Sequence, residues 1–374
     1  MRLLHVSDVY RPRVGGIEMF VEELAERQAL HGHDVTVLSL ATDGAQPGVE
    51  TTPGGVRIVR APARAPVPLP FLPRGGVVDV RDFDRVHVHL SVVSPFSTRV
   101  AQAAGRAGVP TLATVHSMWD GREGWVRVVG AIAGWSRWPV TWTAVSSAAA
   151  ATMREVLGET TPITIVPNGV EVDWWRALAP VEEPGRPLTV VSVMRLAGRK
   201  RPLQLLDAFA ESRLAVPIER SLRLVLVGEG PLEDRLRARV QALGVDDWVD
   251  LVGSRSRGEI REIYRRADVY AAPSHQESFG LAALEARATG LPVVAMTHGG
   301  VGEFVRDGVE GLLCDDDQAM AAAITRLAVD DDLRGRITGH NRRRAPAHDW
   351  ARTLEGFERA YRLAASPLRA VPVG

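Results

Sequence analysis

The sequence predicts an α/β protein made of two parallel-sheet domains, and three observations predict it. Short β-branched runs alternate with amphipathic helical patterns along both halves of the chain. A segment rich in proline, glycine and glutamate, Ala179–Pro187, separates those halves. The length of 374 residues suits two cores of ordinary size better than one large core.

The first half supplies strand candidates at Leu3–Ser7, Asp34–Leu40, Arg57–Ala61, Arg85–Leu90, Thr111–His116, Thr141–Ser146 and Ile163–Pro167. Helical patterns at 17–31, 95–107 and 147–157 lie between several of them. Strands that alternate with helices favour a parallel sheet covered on both faces. The expected division is 1–178 for the first domain, 179–187 for the linker and 188–345 for the second domain. Strands near 188–194, 222–227, 249–252, 268–272, 292–296 and 311–314 repeat the alternation in that second half. Beyond it, 346–374, Trp350, Leu354, Phe357 and Tyr361 recur every three or four residues and predict a helix with one apolar stripe. An independent surface helix has no use for such a stripe, so the tail is expected to pack back onto a domain. Two similar halves joined by one linker predict a ligand cleft.

Composition narrows the function classes. The apolar fraction is 45% and the charged fraction 24%, as in soluble globular proteins. The formal charge is zero, which speaks against a nucleic-acid partner. A lone Cys314 excludes an intrachain disulfide and a cysteine-based zinc site, and fits a reducing cytoplasm. The amino-terminal apolar run stops at Asp8, too soon for a signal peptide. No stretch approaches the roughly 18 uninterrupted apolar residues of a membrane span, so any membrane contact is expected to be peripheral.

Lys200 is the only lysine; the other basic side chains are arginine. It lies in Arg195-Leu196-Ala197-Gly198-Arg199-Lys200-Arg201-Pro202, after a strand and before a proline-led helix. That is the carboxyl end of a strand, where α/β proteins bind ligands, and a compact ammonium there suits a phosphate. The alternative is a surface lysine left by chance. The densest constellation is Pro273-Ser274-His275-Gln276-Glu277-Ser278-Phe279-Gly280-Leu281, with Glu285 following on the same helix. Backbone N–H groups at such a helix start favour an anion. Carboxylates beside a diphosphate repel it, so Glu277 and Glu285 suit neutral hydroxyls instead, a division that fits a nucleotide sugar. Taken alone, Glu277 reads equally as a helix cap and Glu285 as a solvated charge.

Thr297-His298-Gly299-Gly300-Val301-Gly302-Glu303 repeats the strand-to-helix pattern, and at this point the chain resembles the GT-B retaining glycosyltransferases of family 4. The resemblance is carried by Glu277 and Glu285 with seven residues between them, by Arg195 with Lys200, and by Val227-Gly228-Glu229-Gly230-Pro231. Gly299-Gly300…Glu303, Pro167-Asn168-Gly169-Val170, Gly15-Gly16-Ile17-Glu18, His116 and the Trp350 tail occur in the family's order as well. It covers nearly the whole chain. It implies two Rossmann-like domains facing across a cleft, with a closing helix that crosses back to the first domain. Arg195 and Lys200 would hold the donor diphosphate, helped by Gly15 and Gly16 and by N–H groups near Ser278, Phe279, Gly280 and Leu281. Glu277 would accept from sugar hydroxyls, Glu285 from ribose, and His116 would sit beside the reacting carbon. The family retains anomeric configuration and needs no catalytic metal or other cofactor; the nucleotide sugar is a substrate.

Weaker signals complete the reading. Gly228-Glu229-Gly230-Pro231 opens a helix but lacks the last glycine of a dinucleotide fingerprint. Ser254 and Arg255 follow another strand end and are candidates for the base, with UDP expected before GDP. His87 and His89 share a strand face and imitate a metal pair that nothing completes. Trp119, Trp125, Trp135, Trp138 and Trp142 cluster with Arg122, Arg127 and Arg137. With the proline-rich loop from Pro62 to Pro73 they read either as an acceptor or interfacial surface or as core aromatics. Acceptor-side candidates are therefore His89, Trp119, Trp125 and Trp138, and Arg342–Arg344 are candidates for anionic lipid. The expected function is transfer of a hexosyl sugar to a lipid, glycan or natural-product hydroxyl. A GT-B nucleotide-sugar epimerase and a non-catalytic nucleotide-sugar-binding protein are the alternatives.

Overall fold

The computed structural model describes residues 1–13, 15–63, 78–92, 94–119 and 138–365 except 180, 182, 184 and 218, together with 124, 130 and 135. The chain forms two compact units, each with its own sheet. The first comprises Met1–Asn168 and the chain from Ala351 onward; the second is Gly169–Trp350.

The first unit holds eight strands: β1 (Arg2–Ser7), β2 (Asp34–Ala41), β3 (Gly48–Thr51), β4 (Arg57–Pro62), β5 (Arg85–Leu90), β6 (Thr111–Val115), β7 (Val140–Ala144) and β8 (Ile163–Ile165). Their order is β3-β4-β2-β1-β5-β6-β7-β8. All pairings are parallel except β3 with β4. Strand order reverses between β1 and β5, which opens a crevice at their carboxyl ends. Helices α1 (Gly16–Leu30), α2 (Pro95–Arg106) and α3 (Ser147–Leu157) fill the crossovers. The Asp8 carboxylate, just past β1, accepts from the Phe96 and Ser97 N–H groups at 2.9 and 3.0 Å and so caps α2. Ser146 caps α3 through Ala149 N–H.

The second unit is a six-stranded, wholly parallel sheet in the order β11-β10-β9-β12-β13-β14. Its strands are β9 (Leu188–Val193), β10 (Leu222–Val227), β11 (Val249–Gly253), β12 (Val269–Ala272), β13 (Val293–Met296) and β14 (Gly311–Cys314). Its helices are α4 (Val172–Arg176), α5 (Pro202–Ala215), α6 (Glu233–Leu243), α7 (Arg257–Arg266), α8 (Leu281–Thr289), α9 (Asp317–Val329) and α10 (Asp331–Arg343). The reversal here falls between β9 and β12, so the Lys200 and Glu277 loops leave the sheet at its switch point. Leu205, Phe209, Leu224, Leu226, Ile324 and Leu327 anchor the core beneath them.

Two elements escaped the sequence pattern. All four residues of β3 are exposed, so no apolar alternation marks this antiparallel edge strand. The five-residue α4 is too short for a helical period. It belongs to the second unit, where Trp175 meets Tyr264 with ring centroids 5.6 Å apart. Residues 169–178, grouped by sequence with the first half, thus pack with the second.

The tail helix α11 (Trp350–Ala365) belongs from Ala351 on to the first unit. Its predicted stripe is buried: Phe357 and Tyr361 are at most 1% exposed. Phe357 meets Phe20 of α1 at 6.0 Å and His87 of β5 at 5.0 Å, and Thr353 Oγ1 donates to the Pro167 carbonyl at 2.9 Å. Phe357→Ala is expected to destabilise the first unit by about 3–5 kcal/mol, the usual cost of emptying a buried phenylalanine site, read as a lower urea midpoint. A midpoint at the wild-type value would mean that α11 does not close this core.

Candidate functional site

In the second unit, three consecutive strand ends form one edge. The chain leaves β9 through Met194 and Arg195, makes a single 3-10 turn at Gly198–Lys200 and enters α5 with Arg201 in the left-handed region as its N-cap. The turn after β10 lies against this segment: Leu196 N–H donates to Glu229 O at 2.9 Å, and Leu232 N–H returns to Leu196 O at 3.0 Å. Gly228 has φ 132°, and a Cβ there would stand 1.9 Å from Met194 O. These glycines permit backbone to lie on backbone beneath Arg195. Gly228, a sequence candidate for donor contact, is a support on its Cβ side. The turn after β11 joins them, as Gly228 N–H donates to Gly253 O at 2.8 Å and Ser254 N–H to Glu229 Oε1 at 3.2 Å. Ser254, Arg255 and Arg195 are exposed along this edge.

The segment after β12 completes it. Lys200 Nζ donates to Glu277 Oε2 at 2.5 Å, the two side chains being 23% and 19% exposed. Ser274 Oγ donates to Arg199 O at 3.1 Å, and Arg201 donates to Pro273 O at 3.1 Å and to Asp317 at 2.7 Å. Helix α8 starts at Gly280, whose φ of 94° is a left-handed cap, and no side chain caps it. Its first N–H groups therefore have no side-chain cap, and an anion is favoured at such a helix start. Glu277 is held from behind by the second glycine motif: Gly300 N–H donates to Glu277 O at 2.7 Å, and a Cβ on Gly300 would lie 2.2 Å from Ser278 O. Phe279, 1% exposed, is pinned between Phe304 and His348.

Glu285, on the second turn of α8, meets Arg257 NH2 at 3.3 Å. Arg257 in turn lies over Trp174 and Trp175, 5.7 and 5.6 Å from their centroids. Nothing in the residue pattern marks Arg257, which is merely the first residue of α7 after a Ser256/Glu259 capping box.

In the first unit, Gly15 is the extended N-cap of α1, and a Cβ there would meet the Glu18 carboxylate at 2.5 Å. Gly16 has open space at its Cβ position. His116 follows β6 and is 7% exposed. It ends a buried row of polar groups on one sheet face. His116 Nε2 lies 2.9 Å from His89 Nδ1, His89 Nε2 3.0 Å from His5 Nδ1, and His5 Nε2 2.6 Å from Gln28 Oε1. Gln28 Nε2 donates to Tyr361 Oη at 3.1 Å; that phenol lies 2.9 Å from His87 Nδ1. His87 Nε2 is 2.7 Å from Thr114 Oγ1, which is 2.5 Å from Thr143 Oγ1, and Thr143 Oγ1 donates to Ala113 O at 3.4 Å. Burial pushes the histidines down: His5 to about 4, against the help of its Gln28 bond, and His116 to about 3. His87 and His89 are held well below the usual histidine range for the same reason.

This arrangement corrects two sequence expectations. His89 is 1% exposed and both its ring nitrogens have protein partners, so it cannot contact an acceptor. Trp119 is likewise 1% exposed and lies on Trp135, with Trp138 stacked on Trp142 at 6.1 Å; these rings fill core. Trp138 keeps a partly open face, and Trp125, Arg122, Arg127, Arg137 and the prolines of 64–77 lie outside the described residues. The nitrogens of His5, His87 and His89 fall within 4.8 Å of one another, a spacing a metal could bridge, but all six are already engaged in the hydrogen bonds above. Arg342–Arg344 are exposed at the end of α10. No helix among the described residues is long and apolar enough to cross a membrane.

Comparison with known proteins agrees with the expected fold. Residues 175–344 match the family described as glycosyl transferases group 1, and residues 14–174 match glycosyltransferase family 4. The chain is 33% identical to a D-inositol 3-phosphate glycosyltransferase of Acidothermus cellulolyticus, over 97% of this chain and 89% of that one. A glycogen synthase of Mycobacterium tuberculosis is 31% identical over 88% and 86%. Among solved structures, a sucrose-phosphate synthase from Thermosynechococcus elongatus superposes with a TM-score of 0.75 at 23% identity, covering 97% and 99%. Anabaena HepE with UDP and glucose gives 0.74 at 19% identity, covering 97% and 100%. Both share the GT-B architecture of two α/β domains.

Two outcomes follow from the geometry. Gly300→Ala forces its Cβ against Ser278 O, so it is expected to cost about 1–3 kcal/mol as overpacking does and to lower the thermal midpoint. A thermally neutral variant would contradict the contact. The histidines' folded pKa values lie below the unfolded 6.5, so the unfolded chain binds more protons below that pH. Stability is therefore complete above about 6.5 and falls as pH drops towards 4 and 3, by about 1.4 kcal/mol per pH unit for each histidine. Urea midpoints that stay constant from pH 7.5 to 5 would refute this.

Proposed function

The chain belongs to the group 1 glycosyltransferases of family 4, and on that premise we propose that it transfers a hexosyl sugar with retention of configuration from a nucleoside-diphosphate donor. The observation that carries this reading is the Lys200–Glu277 pair at the β9/β12 switch point beside the start of α8. A cation and the N–H groups of a helix start suit a diphosphate, and a carboxylate beside them suits sugar hydroxyls.

Without donor, Lys200 and Glu277 compensate each other. When the donor enters, its diphosphate takes over Lys200, and its sugar hydroxyls donate to Glu277. Arg195, on the loop that the Gly228–Gly230 turn supports, supplies the second cation. As the glycosyl–oxygen bond breaks, negative charge grows on the departing diphosphate, and these fixed cations with the α8 N–H groups stabilise it. That assigns to side chains and backbone the work a metal does elsewhere. Glu285 is assigned the ribose, with Arg257 holding its carboxylate, and Ser254 and Arg255 the base. In the first unit, His116 is assigned to the sugar that moves.

UDP is favoured over GDP, a choice supported by the UDP named with the HepE structures. The acceptor is a hydroxyl of a lipid, glycan or small natural product. The relatives' names, an inositol phosphate transferase and a glycogen synthase, support a polyhydroxylated one. Peripheral membrane contact through Arg342–Arg344 belongs to the lipid version of this reading.

Lys200→Ala is expected to lower donor kcat/KM at least about 100-fold, a typical loss for one stabilising group at a developing charge, and to lower the thermal midpoint as well, because Glu277 is left uncompensated. Slow acceptor-free hydrolysis of UDP- and GDP-sugars provides the assay. Turnover at the wild-type level would remove Lys200 from the site.

A further inference from the structure

Among the described residues, two buried side-chain donors without a partner line the same pocket of the second unit: Arg261 Nε and Trp175 Nε1. The pocket encloses about 300 Å³, part of it open to solvent. Every residue around it belongs to Gly169–Trp350, so its make-up does not involve the first unit. Trp175, Tyr264 and Leu291 form its buried lining. Arg261 and Arg265 of α7 and Arg342 of α10 line its more exposed part. Leu291 follows the carboxyl end of α8, a helix of nine residues that spans about 13 Å. The pocket and the Lys200–Glu277 pair therefore lie at opposite ends of one helix.

Partners within the protein do not account for the arginines gathered there. Arg265 has one, its Nε donating to Glu262 at 2.9 Å. The Arg261 guanidinium carbon stands 4.4 Å from the Trp174 ring centroid, and that ring attracts the charge but accepts nothing from Nε. The Arg342 side chain lies along Gly290, where a Cβ would stand 2.7 Å from its Cγ. Among the described residues, no carboxylate is within ion-pair distance of Arg261 or Arg342. The carbonyls at the end of α8 are already taken. Gly290 N–H donates to Arg287 O at 2.9 Å, Leu291 N–H to Ala286 O at 3.1 Å, and Asn341 Nδ2 to Leu291 O at 2.9 Å. Three guanidiniums against the one Glu262 carboxylate leave two positive charges uncompensated. The chain is nonetheless fixed at this point, since Arg176 donates to the Asn341 carbonyl at 3.2 Å and to that of Arg342.

We propose that this pocket binds a phosphoryl group, presented as the end of a phosphate monoester. Every unmatched polar group in it is a donor or a cation, and phosphoryl oxygens accept from both. A monoester carries a charge of about −1.5 to −2 at neutral pH, which answers the two uncompensated guanidiniums. A carboxylate brings one charge and falls short. Guanidinium forks match phosphate oxygens in geometry, and the apolar lining beneath them lowers the local dielectric and strengthens the attraction. The same group arrives on a soluble phosphate ester or as the headgroup of a lipid. The site is distinct from the place assigned to the donor diphosphate at Lys200, and it stands or falls without the transferase reading.

Titration calorimetry of the full-length protein with glycerol 3-phosphate tests the site, run beside Arg261→Gln, Arg342→Gln and Lys200→Ala. Saturable binding is expected in the wild type, weakened at least about tenfold by Arg261→Gln, the equivalent of one charge-assisted hydrogen bond. Arg342 is exposed, so Arg342→Gln removes a charge with the fold not at stake, and a loss of similar size is expected. Lys200→Ala is expected to retain this binding. No binding in the wild type overturns the proposal. So does binding that vanishes in Lys200→Ala and persists in both arginine variants, a result that leaves the transferase reading standing. Arginine-dependent binding in a protein that turns over no nucleotide sugar upholds the pocket and overturns the transferase reading alone. Flotation with phosphatidylcholine vesicles doped with phosphatidic acid separates the two sources. Flotation lost in Arg261→Gln identifies the headgroup; binding of glycerol 3-phosphate without flotation identifies the soluble ester. Flotation that survives Arg261→Gln, with no binding of glycerol 3-phosphate, is attraction to the exposed Arg343 and Arg344 and overturns the pocket.

Discussion

The Lys200–Glu277 ion pair is the interaction on which the candidate site depends. Two opposite charges, each largely withdrawn from water, hold together two loops that leave the sheet on either side of its switch point. Removing one partner from such a pair leaves the other uncompensated, which costs more than the pair itself contributes. The pair thus makes each loop's position conditional on the other. Glu277 stands within reach of the ammonium, which offsets its charge. A ligand with anionic groups for Lys200 and hydroxyls for Glu277 satisfies both charges at once; inorganic phosphate satisfies only one.

The glycines around this pair act mostly through the backbone. Gly228 and Gly230 let the turn after β10 lie on the carbonyls of Met194 and Leu196, and Gly300 lets its turn lie on Ser278. A side chain at any of them would separate strand-end loops that must stay within hydrogen-bond distance. Donor contact and backbone approach leave the same mark in a sequence, a glycine at a strand end. Gly228 is of the second kind on its Cβ side, while Gly16, with open space around its Cβ position, retains room for a ligand.

That ambiguity sets what was legible in the sequence. Both parallel sheets, the order of their strands in the chain and the stripe of α11 followed from apolar periodicity, because burial on both faces imposes it. The exposed β3 and the five-residue α4 did not, since neither buries enough to require a pattern. Lys200, Glu277 and Glu285 stood out through residue type and spacing. Arg257 did not: its relation to Glu285 exists only once α7 and α8 lie side by side. The tryptophan cluster was readable as core or as surface, and the burial of Trp119 and Trp142 settles those two rings. His89 drew attention as half of a strand-face pair with His87, but its ring nitrogens are taken by two other histidines, His5 and His116.

The two units therefore solve the problem of buried polarity in opposite ways. The second places charges at a strand-end edge, where they are partly hydrated and can exchange partners with a ligand. The first places neutral rings in the interior, where no partner can be exchanged and only the direction of the hydrogen bonds is variable. A second proton on His5 or His89 would set two N–H groups against each other, so for those two rings neutrality is imposed by geometry as well as by burial. Each arrangement suits a distinct task. Charges at such an edge can exchange partners with a ligand; a string with one direction holds its imidazoles in one protonation state. His116, the member of that string at a strand end, is where fixed polarity comes closest to the surface.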